Sequence, residues 1–391
     1  MVIKNKSALS LLVILCWSAP AWAQGARGTT VFVQRNSAYR NAVAAFAQNA
    51  NTGELSLVGV YRTGGKGQPS LDGNQSHALA AWGSLLFVTN AGDNTISSFR
   101  IQRGGELALV SRRSSRGVRP VSLAVKGDVL LVVNQGVVAG KPGAIGGNVR
   151  AFRIGVDGNL SLIPGAVYRF SSKDVPNEVL SNAANGLLTV GLSGSNSAST
   201  FSLKDKREIT LVETVRNIPD PLGGAIKSGA ESTVILTLPD ADTAGVTSLQ
   251  MNSSGHTIER RTYSRPEQKD PCWAAIHPDG TRVWTSAFAT RLLSLYHLGA
   301  DGTLSAVSNY SYSRGPGSVD ITVDESGSFL FRLKAFRAPG GQHNIQPSVE
   351  VLAVTGQTEN AGLAPLGSYS LPKDWARAAP TGIIAVPPNP I

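Results

Sequence analysis

Seven copies of one short pattern run through this chain at near-even spacing. Each copy is an apolar residue, two small or polar positions, then an aromatic residue or Leu: Val43-Ala44-Ala45-Phe46, Ile96-Ser97-Ser98-Phe99, Val149-Arg150-Ala151-Phe152, Ala198-Ser199-Thr200-Phe201, Val246-Thr247-Ser248-Leu249, Leu293-Ser294-Leu295-Tyr296 and Val349-Glu350-Val351-Leu352. Their last residues stand 53, 53, 49, 48, 47 and 56 apart. Four short strands with their turns fill such an interval, which is the size of one propeller blade. Soon after most copies comes a turn containing glycine and then an alternating strand, as in Asp157-Gly158-Asn159-Leu160-Ser161-Leu162 and Asp301-Gly302-Thr303-Leu304. Gly and Asp there allow the positive φ of a tight hairpin, and the strand that follows reads as the outer strand of the blade. Ahead of the copies lie more apolar pairs of strands, for example residues 84–89, 128–133 and 233–238. Short apolar runs bounded by turns read as strands buried on both faces. Helical periodicity is nearly absent.

The two ends complement each other. Thr29-Thr30-Val31-Phe32-Val33 matches the second strand of a blade whose innermost strand is missing, and Thr381-Gly382-Ile383-Ile384-Ala385-Val386 resembles that missing strand. Pairing them would remove the exposed edges of an open ring. A solenoid of stacked sheets needs no such complementary ends. The expected fold is therefore all-β, a seven-bladed β-propeller closed by pairing of its N- and C-terminal strands. Two insertions break the rhythm, residues 137–147 in the third blade and residues 335–347 in the last; long loops on a regular scaffold often carry function, and their composition also fits plain connections.

Lys4 and Lys6, the short apolar run at residues 8–17 and Ala21-Trp22-Ala23 predict a secretory signal over residues 1–23, cut before Gln24, with a single propeller domain over 24–391. A periplasmic or secreted protein without a membrane anchor is expected. Cys16 leaves with the leader, so Cys272 is left without an internal disulfide partner, and stability must come from the packed core. The formal charge of +10 falls to +8 when Lys4 and Lys6 are removed. The basic residues, among them Arg35, Arg40, Arg62, Arg119, Arg150, Arg261, Arg291 and Arg337, are scattered, with no Lys/Arg run interleaved with aromatics. Nucleic acid is therefore not an expected partner. A solvated surface and a pocket favouring an anionic small molecule both fit this charge. The expected form is a monomer.

Seven blades with D-G-x-L turns, the segment T-N-A-G-D-N-T-I-S-S-F at residues 89–99 and G-V-R-P-V-S-L-A-V at 117–125 resemble the seven-bladed lactonase family, which includes 6-phosphogluconolactonase-like and carboxymuconate-cyclase-like proteins. The resemblance covers the mature chain and implies a lactonase-like hydrolase, or a related cyclase. It also implies His and Arg at the starts of innermost strands around the channel. Three of those places here read Pro120-Val121-Ser122, Pro176-Asn177-Glu178 and Cys272-Trp273-Ala274, so the family's histidines are largely replaced. That departure, with export away from cytosolic sugar phosphates, points from a literal 6-phosphogluconolactonase to another small carboxylated lactone. The alternative is a non-catalytic propeller that binds a small ligand or a protein.

Lactone hydrolysis needs a base for water and donors or a cation for the developing oxyanion. In a propeller, the loops leading into innermost strands and those between second and third strands meet at one channel mouth. His77 and Glu178 lie at such places and are the catalytic candidates; the alternatives are a satisfied channel-wall histidine for His77 and a hydrogen-bonded strand-entry residue for Glu178. Arg119 and Arg40 are candidates to hold a substrate carboxylate through bidentate hydrogen bonds, or to form salt bridges. Asn177 and Trp273, at two of the same strand starts, are further candidates for substrate contact. Cys272 reads as a buried thiol, because no neighbouring residue supplies the cation a nucleophilic cysteine wants. His256, His277, His297 and His343 read as turn, strand-end or insertion residues. No metal or other cofactor is expected: Asp240-Ala241-Asp242-Thr243-Ala244-Gly245 lacks the later Glu of a calcium loop, and no phosphate loop or G-x-S-x-G elbow is present in context.

Overall fold

The structure, a computed structural model, describes residues 27–69, 76–137, 139–205, 207–240, 242–311, 317–335, 346–356, 361–376 and 378–388. The leader at 1–23, Asn74, Gln75, Ala241 and most of the 335–347 insertion, with Arg337 and His343, lie outside the described residues.

Twenty-eight strands form seven four-stranded antiparallel sheets among these residues. Blade 1 holds β1 (Arg27–Gln34), β2 (Ala42–Asn49) and β3 (Leu55–Arg62). Blade 2 holds β4 (Leu79–Trp82), β5 (Leu85–Asn90), β6 (Thr95–Ile101) and β7 (Leu107–Ser114). Blade 3 holds β8 (Pro120–Lys126), β9 (Val129–Asn134), β10 (Asn148–Ile154) and β11 (Leu160–Arg169). Blade 4 holds β12 (Pro176–Ser181), β13 (Leu187–Leu192), β14 (Ser197–Lys204) and β15 (Glu208–Arg216). Blade 5 holds β16 (Gly224–Lys227), β17 (Ser232–Leu238), β18 (Gly245–Met251) and β19 (Thr257–Ser264). Blade 6 holds β20 (Pro271–Ile276), β21 (Arg282–Ala287), β22 (Leu292–Leu298) and β23 (Leu304–Ser311). Blade 7 holds β24 (Ser318–Val323), β25 (Phe329–Lys334), β26 (Ser348–Thr355) and β27 (Gly362–Ser370). Blade 1 is completed by β28 (Ile383–Val386), whose residues Ile383, Ile384, Ala385 and Val386 pair with Val33, Phe32, Val31 and Thr30 of β1.

All seven repeat motifs lie on the third strands. Six of these strands slip register against the outer strand at the motif's closing residue, for instance between Ala45 and Phe46, Ser98 and Phe99, and Leu295 and Tyr296. Blade 5 shifts later, between Gln250 and Met251. A bulge adds local twist, which seven radiating blades need.

The second strands are buried on both faces. Consecutive residues therefore serve opposite blade interfaces: Leu86 packs with Phe32, Val43 and Phe99, whereas Phe87 packs with Leu123, Leu130 and Phe152. At the closure, Val31 and Phe46 of blade 1 share a cluster with Trp284 of blade 6 and Phe331 of blade 7. The outer strands alternate instead, with β3 and β23 showing the same buried-then-exposed pattern. The hydrophobic pattern that marks the strands is thus the one that packs each blade on its neighbours.

Candidate functional site

Antiparallel connectivity puts the starts of the innermost strands and the turns between second and third strands at one end of the ring. Several features there re-aim side chains. The pairing of innermost with second strand slips between Pro120 and Ser122, Pro176 and Glu178, Pro271 and Trp273, and Ser318 and Asp320. Non-glycine residues in left-handed conformation come just before four innermost strands: His77 (φ 54), Arg119 (φ 58), Val175 (φ 49) and Asp270 (φ 61). Such backbones are disfavoured for residues with a Cβ and persist where surrounding contacts hold them.

His77 is held in this way. Its carbonyl accepts a hydrogen bond from Leu123 N of blade 3 at 2.9 Å. Its ring Nδ1 meets Glu178 Oε1 of blade 4 in a very short contact. Ser76 also donates to Glu178 Oε1, at 2.9 Å, and its Oγ lies 3.4 Å from His77 Nδ1. A hydroxyl, an imidazole and a carboxylate from two blades thus meet at the mouth. The side chain of Glu178 is 1% exposed and that of His77 is 43% exposed, so the carboxylate is sealed behind a ring that faces the opening. Glu178 Oε2 has no hydrogen-bond partner among the described residues.

Glycines make room for this arrangement. A Cβ on Gly224 would sit 3.2 Å from Glu178 Oε2, and one on Gly223 would collide with the Cys272 carbonyl oxygen and stand 3.2 Å from Ser76 Oγ. Across the ring, Asp320 occupies in blade 7 the position that Glu178 occupies in blade 4. It is buried and accepts from Ile321 N at 2.8 Å and from Ile383 N of the closing strand at 3.0 Å. Burial, with a contribution from Glu178's charge, pushes its carboxyl up to about 7, against the pull of His77 and the two backbone N–H groups. For His77, desolvation by the channel wall disfavours the charged ring, but the charge and hydrogen bond of Glu178 and the charge of Asp320 outweigh it and raise its pKa.

The remaining candidates separate. Asn177 is buried and accepts from Gln135 Nε2 at 2.6 Å, while Gln135 N donates to the Arg119 carbonyl at 2.9 Å, so both belong to a polar seam between blades 3 and 4. Arg119 N is held by Asn94 Oδ1 at 2.8 Å. Arg40 is exposed in the β1–β2 turn and takes no part in the His77–Glu178 hydrogen bonding. Trp273 is 8% exposed and packs in the cluster that includes Trp284 and Phe331. The Cys272 thiol donates to Asp270 Oδ1 at 3.1 Å; burial, the Asp270 charge and hydrogen bond, and Asp220 push it well above the usual thiol range, so it stays protonated. His277 is tied to Gly327 O and Asp279 N at a turn, and Asp242 N donates to Asp240 Oδ1 in an Asp turn. Ser76 and Asp320 were not singled out from the sequence. Ser76 sits beside His77. Asp320 is the third residue of its strand, as Glu178 is of its own, but the insertion in blade 7 disrupts the spacing that would have aligned them.

A family model described as lactonase, 7-bladed beta-propeller, matches residues 37–137, a segment that includes Arg40, His77 and Arg119 and ends before Glu178 and Asp320. No curated protein matches the chain in sequence. Among solved structures, the periplasmic gluconolactonase of Pseudomonas aeruginosa superposes with a TM-score of 0.68 at 16% identity, covering 92% of this chain and 99% of that one. A candidate 6-phosphogluconolactonase from Bacteroides fragilis NCTC 9343 gives 0.67 at 16% identity, covering 94% and 100%. A hypothetical selenium-binding protein from Sulfolobus tokodaii gives 0.63 at 9% identity, covering 92% and 93%. At these identities the likeness is one of fold.

Proposed function

On the scaffold of a lactonase-type seven-bladed propeller, we propose that this protein is an exported hydrolase that opens a small carboxylated lactone at the channel mouth. The observation that carries the reading is the contact of the partly exposed His77 ring with the buried Glu178 carboxylate. Glu178 fixes Nδ1 as the protonated nitrogen and leaves Nε2 as the base. Nε2 takes a proton from water as the water oxygen bonds to the lactone carbonyl carbon. The ring C–O bond then breaks, and the leaving alkoxide takes the proton back from the imidazolium, so the product is a hydroxy acid. Ser76 holds the carboxylate oxygen that orients the ring, and the Asp320 carboxyl, raised to about 7, is a second group able to exchange a proton at the mouth. Arg119 is the candidate for the substrate's carboxylate, and Asn177 and Arg40 remain candidates for its periphery. The predicted leader and the periplasmic relative support export.

The test is hydrolysis of a panel of lactones by purified protein beginning at Gln24, with and without a chelator. Turnover that survives the chelator and is lost in His77→Ala supports the proposal. A folded protein that turns over none of the panel moves the mouth to the alternative, a binding site on a non-catalytic propeller.

A further inference from the structure

Some arginines of this chain are neutralised by an acid and others are not. Arg35, Arg112, Arg153, Arg261, Arg265, Arg282 and Arg332 each face a carboxylate: Asp374, Asp93, Asp128, Glu259, Glu267, Asp279 and Glu350 respectively. Several other arginines form no ion pair among the described residues, and the fold gathers four of these, Arg113, Arg116, Arg150 and Arg169, at one place.

Arg150 lies on β10 with the parity of Phe152, which packs towards blade 2. Arg113 is paired with Ile96, whose side chain packs towards blade 3. The two therefore front the same blade interface from opposite sides. Arg169 pairs with Asn148, diagonal to Arg150 on the same face of blade 3. Arg116 lies in the link from β7 to β8, and its carbonyl accepts a hydrogen bond from Arg150 Nε at 2.9 Å. All four are at the mouth end of their strands, on or beside third and outer strands, so the cluster sits at the rim and radially outside the His77–Glu178 pair. Arg150 is half-buried and the other three are exposed. Burial and the neighbouring Arg169 and Arg116 lower Arg150 from its usual value, as expected for cations gathered without a counter-charge.

We propose that this arginine cluster at the rim between blades 2 and 3 is a binding site for a doubly charged tetrahedral oxyanion, a phosphate monoester or its equivalent. A single carboxylate offers two oxygens and satisfies one guanidinium fork, whereas a phosphate dianion offers three peripheral oxygens that several forks can share. Arg150 is tethered through Nε to the Arg116 carbonyl, and the charges of Arg116 and Arg169 are near enough to act on its guanidinium. The site is independent of lactone chemistry, since none of its members contacts His77, Glu178 or Ser76.

The experiment is thermal unfolding of the full-length mature protein against inorganic phosphate, with chloride matching the ionic strength. A saturable rise in Tm with phosphate is expected, since a ligand that binds only the folded state stabilises it by mass action. Arg150→Met, which keeps the apolar stem, and Arg169→Ala, a substitution at the surface, should each weaken the half-saturating phosphate concentration by about tenfold. Both should leave Tm in chloride and the lactone panel unchanged. Co-sedimentation with phosphatidic acid vesicles, lost in the same variants, would assign the phosphate to a lipid headgroup. A response to free phosphate without vesicle binding would assign it to a soluble ester. A response matched by chloride, or one that persists undiminished in both variants, overturns the proposal.

Discussion

The channel mouth and the rim of blades 2 and 3 lie on the same end of the ring and handle charge in opposite ways. At the mouth, His77 and two carboxyl groups from three different blades are gathered, the acids are buried, and the ionisation of His77 and of Asp320 depends on the charges around them. At the rim, four cations are gathered with no acid among them and left mostly in solvent. A buried, mutually compensated cluster is costly to build and holds a proton-transfer geometry. An exposed, uncompensated one costs little in isolation and gains when an anion arrives. Two sites of different chemistry on one face follow from that contrast, and the variants below break or sharpen it.

The largest effect belongs to the base. His77→Ala should lower kcat for a lactone substrate by about 10²–10⁴-fold, the usual worth of general base catalysis, with the phosphate response unchanged. Steady-state kinetics and the phosphate titration on the same preparation check both halves. Glu178→Gln should lower kcat by about 10²-fold, because the ring loses its orientation and added basicity while Ser76 keeps a partner. Next is Asp320. Its carboxyl is raised from the ordinary value of 3.8 to about 7 in the fold. An acid raised on folding is most stabilising to the fold below about pH 4, and that contribution is lost as pH rises towards about 7. Denaturant titrations should therefore show stability falling across this window in the wild type, and a shallower fall in Asp320→Asn. Smallest is the rim: Arg169→Ala should shift phosphate affinity about tenfold and leave hydrolysis within error.

Much of the fold could be read from the chain because a propeller states itself repeatedly. The motif ending at Phe46, Phe99 or Tyr296 marks a third strand whose small, buried neighbours pack against the next blade, and the 29–33 and 381–386 segments each lack what the other supplies. The bulges at the motifs could not be read, since they are a property of pairing and not of residue type. His77 and Glu178 were accessible as polar residues at innermost strand starts, but their contact joins blades 2 and 4, and no local signal gives a distance across the channel. Trp273 is the third residue of its innermost strand, with the same register slip as Glu178, yet it packs into the core with Trp284 and Phe331, so position on the strand alone does not tell a channel residue from a core one. The rim arginines look scattered in the chain; strand register alone brings Arg113, Arg150 and Arg169 to one interface.

The central claim is that Glu178 tunes His77 as the base, and the pH dependence of kcat/KM for the best lactone substrate tests it most directly, comparing wild type with Glu178→Gln. In the wild type the acid limb should fall above the ordinary histidine value of 6.5, because the Glu178 charge favours the protonated ring. In Glu178→Gln that charge is gone, so the limb should move to lower pH as the rate falls. An acid limb at the same pH in both proteins, or hydrolysis undiminished in the variant, would contradict the account.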